Sequence, residues 1–315
     1  MTEDELIAAI ETILAGHPAA RLRMTLDDAA VWQPSRSHRS VISTDMLVEG
    51  VDFTRELMSL EDAGWRAMAA NLSDLAAMGA RPVLATVALG FPRETTKVEA
   101  LDLYRGLADC AARYKCSIAG GDLSSAPVWT IAIAVVGEVR QSNAKLRAGG
   151  RPGDVLAVTG PLGAARAGLL GEAEGLQALR RPEPRLAEGR FLAASRNVTA
   201  MMDISDGLST DVGRLATASG CGAELDAIPV AAAARAIAQA RRENAERFAL
   251  AGGDDFELLA AIRPRAFAYL SARYSKRFGR ELKKIGALRA EPGIVYDGEL
   301  IESSGWDHFA ASGTR

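Results

Sequence analysis

The stretch Glu61 to Leu89, EDAGWRAMAANLSDLAAMGARPVLATVAL, sets a helix directly before a strand. Trp65, Met68, Leu72, Leu75 and Ala76 recur at helical spacing, and Gly79 with Pro82 behind it closes the pattern as a C-cap does. The spacing predicts a helix over Glu61 to Met78 and a strand over Val83 to Leu89. Asn71, Asp74 and Met78 share one stripe of that helix, which puts a carboxylate on a largely apolar element.

The alternation continues outward in both directions. Val41 to Ile42 reads as a short strand that stops at Ser43-Thr44-Asp45. A helix is predicted over Thr96 to Tyr114, a short strand over Ser117 to Ala119 that breaks at Gly120-Gly121-Asp122, and a long strand over Val128 to Val139. The polar, Gly-rich stretch Gln141 to Asp154, QSNAKLRAGGRPGD, is the candidate boundary between domains at 1–140 and 150–315. Beyond it come a strand over Val155 to Thr159, a Gly160-Pro161-Leu162-Gly163 turn with a helix through Leu170, and a helix around Arg185 to Ser195. Met201 to Ile204 reads as a strand, and Asp206-Gly207 opens a helix closing near Gly220. Strands Ala223 to Ile228, Phe256 to Ile262 and Leu282 to Leu288 alternate with helices Val230 to Asn244 and Pro264 to Phe278. Asp297-Gly298 marks a hairpin turn. The class is α/β or α+β. Apolar residues followed by Gly-Gly-Asp recur at Ser117 to Asp122 and Phe248 to Asp254, an echo that suits two similar domains.

The chain has 315 residues, 48% of them hydrophobic and 24% charged, enough for two cores. Glu3, Asp4, Glu5 and Glu11 stand where a basic leader would be, and no apolar run approaches a membrane span. A cytoplasmic protein without a membrane partner is expected. Cys110, Cys116 and Cys221 have neither disulfide nor zinc spacing, which suits a reducing compartment. The net charge of −3 and the absence of a basic block argue against nucleic acid.

Aspartates recur where apolar strands or turns are predicted to end: Asp27-Asp28, Asp45, Asp122, Asp203, Asp206, Asp254 and Asp255, with Asp74 on its helix. Any one of them suits an ordinary turn, and Asp206 or Ser205 suits an N-cap. Jointly they ask for more, because like charges gathered in a cleft repel unless cations compensate them. Hard oxygen donors without His or Cys point to Mg²⁺. There is no G-x-x-x-x-G-K-[ST] loop and no H-R-D with D-F-G, and the TGPLG turn at Thr159 to Gly163 reads as structural. A bound nucleotide would then depend on metals held by aspartates, with Arg147 as a phosphate clamp.

Eight blocks carry a resemblance: LDDAAV at Leu26 to Val31, ISTDMLVEGV at Ile42 to Val51, NLSDLAAMGARP at Asn71 to Pro82, IAGGD at Ile118 to Asp122, RAGGRPGD at Arg147 to Asp154, DISDGL at Asp203 to Leu208, LAGGDDFEL at Leu250 to Leu258 and WDHF at Trp306 to Phe309. In this order they resemble the thiamine-monophosphate kinases of the aminoimidazole ribonucleotide synthetase superfamily. The resemblance implies two α/β domains with mixed sheets covered by helices, the first pairing across a homodimer, and ATP with several Mg²⁺ ions between elements of both. It implies transfer of the γ-phosphoryl group of ATP to thiamine monophosphate, with no protein nucleophile. Position by position, Asp28, Ser43, Thr44, Asp45, Asp74, Asp122, Asp203 and Asp206 look like Mg²⁺ ligands. Tyr104, Gly120, Gly121, Arg147 and Ser205 look like ATP contacts, and Asp52, Asp254 and Trp306 fall at substrate-contacting positions.

Three departures stand out. Met24-Thr25-Leu26 replaces the usual Gly-x-Gly before the first aspartates, Asp52 replaces a substrate-contacting histidine, and Asp254 replaces a glutamate. Competing activities in the superfamily fit less well: a selenophosphate synthetase needs a reactive residue near the N-terminus, and no cysteine precedes Cys110. A hydrogenase-maturation dehydratase would end in a cysteine tail, whereas this chain ends Ala-Ser-Gly-Thr-Arg. A silent sensor that binds nucleotide or thiamine phosphate is the reading that Asp52 favours.

Overall fold

The computed structural model describes residues 2–15, 22–23, 29 and 31–306. Two compact units are present, one of Met1–Leu75 with Ala80–Ser142 and one of Ala76–Gly79 with Asn143–Arg315. Among the described residues no helix is long and apolar enough to cross a membrane.

The first unit comprises α1 (Glu3–Ala15), β1 (Leu22–Arg23), β2 (Val31–Trp32), β3 (His38–Val48), α2 (Leu60–Ala77, its last residues counted with the other unit), β4 (Arg81–Phe91), α3 (Lys97–Arg113), β5 (Ser117–Ser125) and β6 (Thr130–Arg140). β1 and β2 form a two-stranded ribbon. The main sheet has the order β3-β6-β4-β5, antiparallel except for β4 with β5, which α3 connects. Thr96 caps α3 in a capping box with Glu99, so that helix starts where its first orphan N–H groups find acceptors. α2 and α3 approach so closely that a Cβ on Gly64 would overlap the Leu103 carbonyl, and one on Gly106 the Glu61 carbonyl.

The cross-strand rows give the sheet two unlike faces. Ser43, Asp45 and Leu47 share one face with buried Val135, Ile133 and Ile131. Ile42, Thr44 and Met46 share the other with Val136, Ala134 and Ala132, and there Ile42 is 72% and Met46 59% exposed. β3 therefore does not stop at Ser43-Thr44-Asp45, because alternation lets an edge strand carry polar residues along its length. β5 likewise continues through Gly120-Gly121-Asp122. A bulge opposite Thr86 absorbs Gly120 at φ +147°, and a Cβ on Gly121 would overlap the Val87 carbonyl.

The second unit comprises β7 (Val155–Val158), α4 (Ala164–Leu169), α5 (Ala173–Arg180), α6 (Leu186–Ala193), β8 (Val198–Asp203), α7 (Leu208–Ala218), β9 (Gly222–Leu225), α8 (Ala232–Arg241), α9 (Ala245–Leu250), β10 (Leu258–Ile262), α10 (Pro264–Phe278), β11 (Lys283–Arg289), β12 (Ile294–Tyr296) and β13 (Glu299–Ile301). Its sheet has the order β13-β12-β9-β11-β7-β10-β8, with β12 and β9 the parallel pair. β10, LLAAI, is buried at every position, as a central strand covered on both faces must be. Leu208, Val212 and Leu215 of α7 pack on Leu156, Val158, Ala200, Met202 and Leu259 to form the main core. The fold is the expected mixture of helices and mixed sheets. The second Gly-Gly-Asp follows α9 in irregular backbone whereas the first lies within a strand, so the echo does not mark equivalent elements.

Candidate active site

In the first unit, α2 lays its polar stripe beside the edge of β3. The Asn71 side chain, buried and anchored to the Ala67 carbonyl, accepts from the Asp45 N–H at 3.1 Å, and the Ser43 hydroxyl donates to the Asp74 carboxylate. Ser43, Asp45 and Asp74 are thereby brought together. Thr44 points to the other face and donates to the Ile133 carbonyl at 2.9 Å. Asp122 falls in the cross-strand row of Ala88, Ala132 and Met46, three strand spacings from β3. At about 4.8 Å per spacing, the unit by itself leaves Asp122 apart from Asp45. Gly120 and Gly121 have sufficient structural reasons in the bulge and the close approach to β4. Tyr104 is 5% exposed on α3, and burial pushes its phenol up to about 12. It lies in the core of this unit. Asp28 lies outside the described residues.

Asp52 sits in the turn after β3. Its carboxylate accepts from the Val48 N–H at 2.8 Å while its own N–H donates to the Val48 carbonyl at 2.9 Å. The side chain is turned back on its own turn.

In the second unit, β8 ends at Asp203 and pairs with β10. The segments beyond both strands stay adjacent: the Asp254 N–H donates to the Ser205 carbonyl at 2.7 Å, the Phe256 N–H to the Ile204 carbonyl at 2.9 Å, and the Trp306 N–H to the Asp206 carbonyl at 2.9 Å. Asp203, Ser205, Asp206, Asp254 and Trp306, the first and last of them 103 residues apart in sequence, are thereby gathered into one place. Asp254 and Phe256 have φ of +63° and +48°, a strained pair of left-handed residues costing on the order of 1–2 kcal/mol each. Arg147 is exposed, in a segment held beside β8 by the Met201 N–H donating to the Leu146 carbonyl.

Carboxylates that the sequence offers without a role brace these loops. Asp255 turns its carboxyl inward onto the Gly163 N–H, at 2.8 and 2.9 Å, and burial raises its pKa well above the usual range. Buried Glu257 accepts from Arg185 at 2.8 and 3.1 Å, from Arg280 at 3.3 Å and from the Thr159 hydroxyl. A Cβ on Gly160 would collide with Glu257, so the TGPLG turn is shaped by this buried ion cluster. Neither Ser205 nor Asp206 caps α7. The N-cap is Gly207 at φ +115° with no side-chain bond, and Asp211, one turn inside the helix, reaches back to the Ser205 and Asp206 N–H groups at 3.0 and 3.1 Å. Burial, then the neighbouring Asp206, raises the Asp211 pKa to about 6 against the pull of Arg214. An acid at the fourth position after an Asp-Gly helix start is the sequence signal that would find it.

Among the described residues no three His, Cys, Asp or Glu side chains gather as a protein-only metal cage. The donor set still fits Mg²⁺, which takes one or two carboxylates and completes its shell with water and phosphate oxygens. Asp45 with Asp74 and Ser43 would offer one such partial set, and Asp203 and Asp206 would offer carboxylates to another.

The model of the AIR synthase related protein N-terminal domain matches residues 26–139, and that of the C-terminal domain residues 151–265. The thiamine-monophosphate kinase of Rhodopirellula baltica is 39% identical over 85% of this chain and 84% of its own length. This chain belongs to the thiamine-monophosphate kinase family. The crystal structure of the Stenotrophomonas maltophilia member superimposes with a TM-score of 0.84 at 31% identity, covering 96% of this chain and 98% of that one. AaThiL complexed with AMPPCP and TMP superimposes with a TM-score of 0.77 at 29% identity, covering 98% and 99%. In this member of the thiamine-monophosphate kinase family, Asp52 is held by bonds to the Val48 backbone.

Proposed function

We propose that this protein transfers the γ-phosphoryl group of ATP to thiamine monophosphate, giving thiamine diphosphate and ADP, in the cytoplasm and with Mg²⁺ bound. The observation that carries this is the gathering of Asp203, Ser205, Asp206, Asp254 and Trp306 by backbone bonds, in a family whose relative AaThiL holds an ATP analogue and TMP. Residues 1–140 would supply Ser43, Thr44, Asp45, Asp74 and Asp122 as well as the dimer surface, the connecting stretch would supply Arg147, and residues 150–315 would supply the gathered set. The uncovered sheet face bearing Ile42 and Met46 supports pairing with a second copy. The three buried free thiols suit a reducing compartment.

A phosphate oxygen of thiamine monophosphate attacks the γ-phosphorus in line; the new P–O bond forms as the bond to the β–γ bridging oxygen breaks and ADP departs. The monoester is already largely ionised near neutral pH, so no general base is required. Bound Mg²⁺ supplies charge neutralisation at the phosphates. The chain's own residues position: Asp45, Asp74, Asp203 and Asp206 would hold cations, Arg147 would offer a planar fork to phosphate oxygens, and Trp306 would offer an aromatic face to a cationic ring. Turnover with ATP, thiamine monophosphate and Mg²⁺, followed by ADP release and thiamine diphosphate formation, tests this. Ligand binding without turnover would favour the silent-sensor reading that Asp52 raises.

A further inference from the structure

Ser205 and Asp206 form a hub. Their two N–H groups go to one oxygen of Asp211, at 3.0 and 3.1 Å, and their two carbonyls accept from Asp254 and Trp306, at 2.7 and 2.9 Å. All four backbone polar groups of two consecutive residues are therefore held by other segments of the unit. The second oxygen of Asp211 accepts from Arg214 at 3.0 Å, and the same guanidinium nitrogen reaches the Asp206 carboxylate. Asp211 is fully buried, faces no open surface and lies on α7, whose Val212 and Leu215 are locked into the core.

We propose that Asp211 is the positioning residue of the phosphoryl-transfer site, fixing the Ser205–Asp206 backbone from beneath and, through Arg214, the direction of the Asp206 carboxylate. This rests on the kinase reading. The chain turns from β8 into α7 at Gly207 without a side-chain cap, so nothing local holds the two N–H groups if Asp211 is removed. Two covered donors would then lose their acceptor, and the loop would shift to find another. Asp254 and Trp306 hang from the carbonyls of the same two residues and would shift with it. In-line transfer depends on sub-ångström placement, so such a shift lowers turnover more than it lowers stability.

The test compares Asp211→Asn, Asp211→Ala and Val212→Ala with the wild type. Asparagine keeps the shape but cannot both accept from the two N–H groups and receive Arg214, since its amide nitrogen only donates. Val212→Ala loosens the same helix without touching the hub. Asp211→Asn is expected to lower kcat at least tenfold with both KM values within threefold, while Val212→Ala lowers Tm and keeps kcat within twofold. In Asp211→Ala, amide exchange over residues 203–208, followed by mass spectrometry, is expected to quicken at least tenfold. A kcat for Asp211→Asn within twofold of the wild type overturns the proposal, as does unchanged exchange in a folded Asp211→Ala. Should Asp211→Ala not fold, the kcat of Asp211→Asn decides. A wild type without kinase turnover would overturn the kinase reading instead, and the exchange measurement would still decide whether Asp211 holds the loop.

Discussion

The backbone N–H of Asp254 donates to the carbonyl of Ser205 at 2.7 Å, joining two loops that are 49 residues apart in sequence. Gly253 makes that approach possible: a Cβ there would stand 2.8 Å from the same carbonyl oxygen. Gly253→Ala must push the loops apart by several tenths of an ångström. Turnover is expected to fall about tenfold or more, from displacement of the reacting groups. Steady-state kinetics and a thermal melt check this, and a kcat equal to the wild type would mean that the two loops need not be this close.

Asp45 and Asp74 sit with Ser43 beside the polar stripe of α2, and an amide at position 45 keeps the side chain's size and the backbone N–H that donates to Asn71. Asp45→Asn is therefore expected to leave Tm nearly unchanged and to nearly abolish kcat, because a charged cation ligand is lost. Removal of a positioned metal costs several kcal/mol of transition-state stabilisation. Chelation of divalent cations should silence the wild type and Mg²⁺ or Mn²⁺ restore it. Near wild-type turnover of Asp45→Asn at saturating Mg²⁺ would remove Asp45 from the ligand set.

Arg147 is exposed in a segment pinned beside β8 by its backbone, so its side chain is free to meet a phosphate. Arg147→Lys keeps the charge but loses the planar two-pronged donor. The expected result is an ATP KM raised at least fivefold with little change for thiamine monophosphate. Unchanged ATP kinetics would place Arg147 outside the site.

Much of the helix and strand order is legible from spacing alone, and the reasons are local. α10 runs from Pro264 to Phe278, the residues predicted, because Pro at the first turn and Gly279 in the left-handed C-cap both act within a few residues. What escapes is non-local. Ser43-Thr44-Asp45 looks like a strand end until the partner strand β6 pairs with all of β3. The short helices α5 and α9, of eight and six residues, span too few turns for a periodicity that would announce them. The site follows the same rule. The carboxylates Asp203, Asp206 and Asp254 are visible as types, yet their meeting depends on the β8–β10 ladder. Asp211 and Glu257 hide because each carries an ordinary surface letter into a buried position.

The buried end of Glu138 carries a pH signature. Burial alone would raise its pKa, but the Ser35 N–H and hydroxyl, both at 2.8 Å, and the Arg81 guanidinium together hold it below the usual range. A lowered folded pKa gives stability that is present above the ordinary glutamate value near about 4.3 and lost as pH falls through the lower folded value. Glu138→Gln should thus be less stable than the wild type at pH 7, and the gap should narrow as pH falls below about 4. Melts at both pH values check the sign; a gap that stays constant would mean that Glu138 ionisation does not contribute.

Asp52 is one of the three positions at which the sequence suggests a departure from the family pattern, and its geometry makes a specific forecast. The carboxylate caps its own turn by accepting from the Val48 N–H at 2.8 Å, a bond it makes within its own segment. Losing that acceptor costs about 1 kcal/mol, which for a chain with domains of this size lowers Tm by about 2–4 °C. Asp52→His is expected to show that drop, to keep or lower the KM for thiamine monophosphate and to leave the ATP KM alone. Asp52→Asn retains an acceptor oxygen and should recover most of the lost Tm. A carboxylate pressed against a phosphate dianion would show itself by size rather than direction, since removing it would strengthen substrate binding many-fold. Were Asp52→His instead folded, as stable as the wild type and inactive, the carboxylate would be acting on the substrate's cationic ring rather than on the turn.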